Sequence, residues 1–317
     1  MNGLELAKGY YEEYGKPMLE NEFSDLLPLI AVGFVGSGSE HYGFDDEISR
    51  DHDFEPGFCI FLPGEDVINR KQQFKLERAY AKLPKEYAGC KRQPISPVGG
   101  IRNGVIRTED FYLKAVGSGS GDLTVEQWLT LPDYALAEAV NGDVFFDDYG
   151  EFSGIRERLI CMPEDIRCKR IAGNLLIMAQ SGQYNFLRCL KHGEPEAAQF
   201  AAFKFVNAAI KTAFLLQYRY APYYKWSFRA LRQLYGMEAL ADKLSPLLFG
   251  DCRDRNTAEQ KYDKIEEVAS DMISVLQEQN LTKAICGDLE KHAYSVNDQI
   301  KDSTIRNNMH ILVSIND

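Results

Sequence analysis

The spacing of apolar residues changes near the middle of the chain, and this change limits the possible folds more than any other feature. Before about residue 150, apolar runs are short and end at Gly, Pro or Ser, as in LLPLIAVGFVGS and GFCIFLP. Such runs are typical of strands. Beyond that point, apolar residues recur at helical spacing over longer stretches. The pattern predicts an α+β fold, with a sheet domain at residues 1–152 and a helical bundle at residues 153–317.

Strand candidates alternate with helical stretches in the first half. Besides the two runs above, NGVIR and GDVFFDD are weaker strand candidates. Between the strands, VINRKQQFKLERAYAKL and LTVEQWLTLPDYALAEAV have helical character. This alternation predicts a sheet with flanking helices.

The second half carries helix signals. PEDIRCKRIAGNLLIMAQSG opens with Pro and two acids and closes on Gly182, which predicts one helix that ends there. We expect about five or six helices in this half. Further apolar residues at helical spacing are Phe200, Phe203, Ile210, Phe214, Ile265, Val268, Met272 and Leu276.

Charge and cysteine content exclude several classes of protein. The net charge of −11 argues against a general nucleic-acid binder, which needs a basic surface. No apolar run has membrane-spanning length, and the polar N-terminus does not resemble a signal peptide. The seven scattered cysteines contain no C-x-x-C pair, so a zinc site or a disulfide framework is not indicated. We therefore expect a cytoplasmic protein that binds neither nucleic acid nor membrane.

A pair of carboxylates precedes the second strong strand candidate, in DHDFEPGFCIFL. In an extended chain Asp51 and Asp53 lie on the same face. Two neighbouring carboxylates repel each other unless a cation lies between them, and Mg²⁺ is commonly held by such a pair together with substrate phosphates. The alternative is a solvated acidic turn.

A Gly-Ser loop follows the first strong strand candidate. Gly36-Ser37 is one register of this loop, and Gly38-Ser39 is a second. Where such a loop leads into a helix, its backbone N–H groups can bind phosphate oxygens. The loop is not a Walker motif, because no G-K-[ST] follows, and its glycines do not fit G-x-G-x-x-G.

Together these motifs resemble the nucleotidyltransferase fold superfamily, which includes DNA polymerase beta and the aminoglycoside nucleotidyltransferases. Thirteen residues separate Gly36-Ser37 from Asp51-His52-Asp53-Phe54. GSGSEHYGFDDEISRDHDFEP, NGDVFFDDYGEFSGIRERL and RYAPYYKWSFRAL resemble an uncharacterised bacterial branch of that superfamily, known only as a domain of unknown function.

The resemblance implies Mg²⁺-dependent transfer of a nucleoside monophosphate from an NTP, with ATP as the expected donor, to an acceptor hydroxyl. Asp51 and Asp53 would hold two Mg²⁺ ions, and the loop formed by residues 36–39 would bind the outer phosphates. Arg50 would organise the carboxylates or contact a phosphate. The acceptor is expected to be a small molecule such as an aminoglycoside. The alternatives are a nucleotide sensor without turnover and nucleotidyl transfer to a partner protein.

The superfamily commonly has a third metal-binding carboxylate on a neighbouring strand. We assign Asp147 to the metal site; Glu109, Asp143 and Asp148 remain further candidates. Alternatively, Glu109 opens a helix, where acids are favoured, and the Asp-Asp-Tyr-Gly segment is a turn after an edge strand.

Two cations lie at i, i+4 in YAPYYKWSFRAL. If a helix begins near Tyr224, Lys225 and Arg229 share one face and could neutralise a triphosphate. The alternative is a solvated basic face. The polar residues Gln180, Gln183, Asn185 and Arg188 around Gly182 are candidates for acceptor binding or for helix capping.

Overall fold

The computed structural model describes residues 1–46, 54–92 and 103–308. The chain forms two compact units. The first comprises Met1–Leu123 and Ala135–Cys161, and the second comprises Thr124–Tyr134 and Met162–Asp317. The domain boundary expected at residue 152 falls inside the helix Glu151–Ile160, which belongs entirely to the first unit.

The first unit contains the strands β1 (Ala31–Phe34), β2 (Cys59–Leu62), β5 (Gly104–Arg107) and β6 (Asp143–Asp147). They form a mixed four-stranded sheet in the order β5-β2-β1-β6. Strand β1 is antiparallel to both of its neighbours, and β2 and β5 are parallel. All four strand predictions are confirmed. Each strand is a short apolar run bounded by turn residues, and this local pattern is why the sequence revealed it.

Helices flank this sheet, and a small hairpin lies outside it. The hairpin pairs β3 (Glu86–Tyr87) with β4 (Cys90–Lys91), and its turn residues Ala88 and Gly89 both have positive φ. The helices are α1 (Gly3–Tyr10), α2 (Lys16–Glu22), α3 (Arg70–Lys82), α4 (Thr108–Val116), α6 (Asp133–Val140) and α7 (Glu151–Ile160), with a π-helical turn (Tyr11–Gly15) between α1 and α2.

One hydrophobic core of the first unit packs α1, α2 and α3 against the sheet. Tyr10, Phe58 and Leu76 are fully buried there. The Tyr80 hydroxyl donates to the carbonyl oxygen of Phe58 at 2.8 Å and accepts from its N–H at 3.0 Å. These two hydrogen bonds to the backbone of Phe58 fix the segment that leads into β2.

The second unit is helical, and α8 (Glu164–Met178) lies at its centre. Most residues of α8 are buried, and it packs on α10 (Pro195–Leu216) and α14 (Leu289–Asp298). In the described parts of the chain, no helix is both long and apolar enough to cross a membrane. The other helices are α5 (Val125–Thr130), α9 (Leu187–Lys191), α10 (Pro195–Leu216), α11 (Tyr224–Leu231), α12 (Leu240–Leu248), α13 (Arg255–Glu278), α14 (Leu289–Asp298) and α15 (Ser303–Arg306).

Several helix predictions need correction. The helix expected to end at Gly182 continues through a π-helical segment (Ala179–Phe186) into α9. The stretch LTVEQWLTLPDYALAEAV is helical as predicted, and Pro132 divides it into two helices, α5 and α6. The described residues after Met162 form eight α-helices rather than five or six, since several are short.

The apolar spacing in α10 is helical as predicted, but its face is only partly buried. Ile210 and Phe214 are buried, whereas Phe200 and Phe203 are exposed.

Candidate functional site

The Gly-Ser loop leaves β1 at Phe34 and has unusual backbone angles. Gly36 has a φ of +136° and Gly38 a φ of +129°, a region that favours glycine. Ser37 is exposed between them, whereas Ser39 is buried at the start of a short 3₁₀-helix (Ser39–Tyr42). The loop is therefore a shaped turn with one exposed hydroxyl, and a 3₁₀-helix of four residues follows it.

Asn141 lies just before β6, the neighbour of β1, and holds this loop in place. Its Oδ1 accepts from the N–H of Gly36 at 3.0 Å, and its Nδ2 donates to the carbonyl oxygen of Gly36 at 2.7 Å. Arg156 in turn donates to the carbonyl oxygens of Asn141 (2.6 Å) and Gly142 (3.1 Å). The Gly36 amide is thus committed to Asn141, so a phosphate bound here would contact later amides of the loop or Ser37.

Sequence reasoning missed Asn141. The local signal was the pair Asn141-Gly142, which is typical of a turn before a strand. Gly142 has a φ of +64°, and a Cβ there would overlap the carbonyl oxygen of Phe34. Nothing local pointed to Gly36, which is 105 residues away.

Two buried polar side chains lie beside the loop and were also missed. Glu40 is 8% exposed and His41 is 4% exposed. The Glu40 Oε1 lies 3.5 Å from the His41 Nδ1, and the imidazole stacks on Phe34 with ring centroids 4.1 Å apart. A Cβ on Gly38 would overlap the Glu40 carboxylate, so a larger residue there would displace this side chain as well as adopt an unfavourable φ.

The register of the sheet places the start of β2 next to this loop. Cys59 at the start of β2 pairs with Gly33 near the end of β1, and the two strands are antiparallel. The segment that enters β2 therefore lies at the same edge of the sheet as the Gly-Ser loop. Arg50, Asp51 and Asp53, which the sequence predicts as site residues, lie outside the described residues.

The candidates for a third carboxylate lie at two different ends of the sheet. Asp143 pairs with Phe34, at the loop end, and is exposed. Asp147 pairs with Ala31, at the opposite end, and Asp148 follows it. Glu109 also lies beyond the opposite end, because β5 runs parallel to β2 and ends at Arg107.

Local structure accounts for two of the three carboxylates at the opposite end, Asp147 and Glu109. Asp147 accepts from the backbone N–H groups of Gly150 and Ser153, both at 2.8 Å, at the start of α7. Glu109 lies in the first turn of α4, as the alternative interpretation predicted.

Burial raises the pKa of Glu151 at this end of the sheet, and the nearby charges of Asp147, Asp66 and Glu109 raise it further. Within the described residues, no three His, Cys, Asp or Glu side chains are placed to hold a metal ion.

Lys225 and Arg229 lie on α11, in the second unit. This helix begins at Tyr224 as predicted, so the two cations are one turn apart, and both are exposed. Tyr223 and Tyr224 precede them, with ring centroids 4.5 Å apart. The ring of Tyr134 packs against Tyr223, with ring centroids 5.6 Å apart.

Comparison with known families gives one match. A model of a domain of unknown function, DUF4037, matches residues 128–227. The matched segment covers less than a third of the 317 residues and contains Asn141 and Lys225, but not the Gly-Ser loop or Asp51 and Asp53. No curated protein and no solved structure matched the chain.

Proposed function

We propose that this protein is a Mg²⁺-dependent nucleotidyltransferase that moves a nucleoside monophosphate from an NTP, with ATP as the expected donor, to an acceptor hydroxyl. One observation carries the proposal. The glycine-shaped loop after β1 and the segment that enters β2 lie at one edge of the sheet. This edge can bring a phosphate-binding turn close to the chain that carries the carboxylate pair.

The roles follow from the chemistry of phosphoryl transfer. In the proposal, Asp51 and Asp53 hold the ions that bridge the triphosphate and stabilise the charge on the transferring phosphorus. Ser37 and the amides after Gly36 bind the outer phosphates. Asp143 is our preferred third carboxylate, because it lies at the loop end of the sheet, in contrast to Asp147.

Nucleotide binding and turnover test the proposal separately. We expect Asp51→Asn and Asp53→Asn each to abolish Mg²⁺-dependent binding of a non-hydrolysable ATP analogue, measured by calorimetry. The melting temperature should stay the same or rise slightly, because each change relieves repulsion between like charges. Asp25→Asn, at an exposed turn of the same unit, is the matched control and should bind as the wild type does.

Release of pyrophosphate from Mg-ATP over a panel of hydroxyl-bearing small molecules and proteins then measures turnover. Undiminished analogue binding in both aspartate variants would end the metal-site proposal. Binding without pyrophosphate release from any acceptor would favour a nucleotide sensor.

A further inference from the structure

The second unit contains a pocket of about 610 Å³ beside the π-helical segment Ala179–Phe186. Its lining comes from this segment, from α13 and from the start of α14, all within the second unit. Small-molecule sites usually have volumes of about 300–1,000 Å³. π-helical turns inside α-helices occur frequently at functional sites. The pocket therefore has the size and the backbone setting of a ligand site.

The π-helical segment packs tightly against the helices behind the pocket. A Cβ on Gly182 would overlap the Phe205 ring of α10 and contact Ile265 of α13. Glycine at this position therefore allows a close approach, rather than ending the helix.

Gln183 fixes one wall of the pocket. Its Nε2 donates to the Glu266 Oε2 at 3.0 Å and to the carbonyl oxygen of Gly287 at 2.9 Å, and its Oε1 accepts from the N–H of Leu289 at 2.9 Å. One side chain thus joins the π-helical segment to α13 and to the loop before α14. The wall is preformed, which lowers the entropic cost of binding.

The lining is acidic and aromatic. Its carboxylates are Glu266, Asp288 and Glu290, and the residues that the structure places in the lining include no lysine, arginine or histidine. Tyr184 and Tyr262 add two rings. Burial raises the pKa of Tyr262, and its hydrogen bond to Glu266 adds to this shift.

Tyr184 is held in place while remaining exposed. The Arg188 guanidinium donates to its hydroxyl at 3.0 Å and lies 5.5 Å from the ring centroid. The side chain is still 60% exposed, so its ring can contact a ligand.

The carboxylates of the pocket do not form a metal site. Within the described residues, no group of three or more His, Cys, Asp or Glu side chains is placed to hold one metal ion. Three carboxylates and two aromatic rings around one pocket instead suit an organic cation that carries several charges along an apolar chain.

We propose that this pocket binds a small linear polyamine. Its ammonium groups pair with Glu266, Asp288 and Glu290, and its methylene chain lies along Tyr184 and Tyr262. This assignment is independent of nucleotidyl transfer, because no residue of the proposed nucleotide site takes part.

Calorimetry of the full chain with spermidine, in low salt and without Mg²⁺, tests the proposal. We expect one spermidine per chain, with binding that weakens as salt rises. Glu266→Gln should weaken it about tenfold, because a charge-assisted contact is lost while the amide oxygen can still accept from Gln183. Asp288→Asn with Glu290→Gln should weaken it further, and Asn retains the helix cap that Asp288 provides.

Glu278→Gln, an exposed carboxylate at the far end of the same helix α13, is the matched control and should change spermidine binding less than about twofold. Circular dichroism shows whether each variant is folded. Absence of spermidine binding by the wild type at millimolar concentration would overturn the proposal. So would several weak sites that the pocket variants and the control affect equally, because general attraction to the net charge of −11 would then explain the binding.

Discussion

At residue scale, the loop after β1 depends on contacts that are far apart in the sequence. Asn141 satisfies both backbone polar groups of Gly36, as a neighbouring strand would. An unsatisfied buried donor or acceptor costs about 1–3 kcal/mol, so this one side chain has a large effect on the shape of the loop.

We therefore predict that Asn141→Ala lowers the free energy of unfolding by about 1–3 kcal/mol, measured by urea denaturation. Asn141→Asp separates the two bonds. It keeps an acceptor for the Gly36 N–H, but it places a carboxylate against the Gly36 carbonyl oxygen and should also destabilise. An alanine variant as stable as the wild type would show that solvent satisfies Gly36 equally well.

The sequence predicted part of this site. The two glycines identified the turn, because few other residues tolerate its backbone angles. The partners Asn141 and Arg156 could not be found, since pairing across the sheet depends on a register that no local pattern reveals. The same register separates Asp143 from Asp147, which the sequence alone could not do.

At element scale, α8 is the central helix of the second unit, and several of its cationic side chains are buried. Arg170 is 8% exposed and donates to the carbonyl oxygens of Trp128 (2.9 Å) and Leu131 (3.1 Å). It also pairs with Asp133, itself 6% exposed, at 3.1 Å. These contacts join α8 to the segment that carries α5.

We predict that Asp133→Asn lowers the free energy of unfolding by about 3 kcal/mol, because it leaves the Arg170 charge buried and unpaired. Asp251→Asn is a matched control at the exposed pair of Asp251 with Arg253 (2.8 Å) and should have little effect, since water screens that pair. Equal effects of the two changes in urea denaturation would contradict a structural role for the buried pair.

The sequence predicted strands better than helix ends. A strand here is a short apolar run with turn residues at both sides, so its signal is local. The fate of Gly182 was not local: glycine usually stops a helix, but here it is enclosed by Phe205 and Ile265. Packing decided what the residue does, and packing is set by distant parts of the chain.

At the scale of the whole molecule, stability should depend on pH through Lys169. This side chain is 1% exposed, and its Nζ donates to the Asn297 Oδ1 at 3.0 Å and to the carbonyl oxygen of Arg306 at 2.7 Å. Burial lowers the pKa of Lys169 from 10.5 to about 8. Between these values the unfolded chain binds a proton that the native chain does not, so stability rises with pH.

We expect the stability of the wild type relative to Lys169→Met to increase by about 3 kcal/mol between pH 8 and 10.5. The comparison cancels the tyrosines and cysteines that titrate in the same range. Urea denaturation at several pH values measures it, with Lys301→Met, an exposed lysine, as the control. Parallel pH profiles for the wild type and Lys169→Met would contradict the lowered pKa.

The division of the chain into interleaved segments affects the order in which it folds during synthesis. The first unit is incomplete when Leu123 is made, because its edge strand β6 and helix α7 come after an excursion into the second unit. At roughly 5–20 residues per second, the ribosome needs a few seconds to reach Cys161. During that time β1 has no neighbour on one side, and Gly36 has no Asn141 to hold it. Nascent chains are therefore vulnerable to mispairing at this edge, and a truncation at any single peptide bond cannot release both units whole.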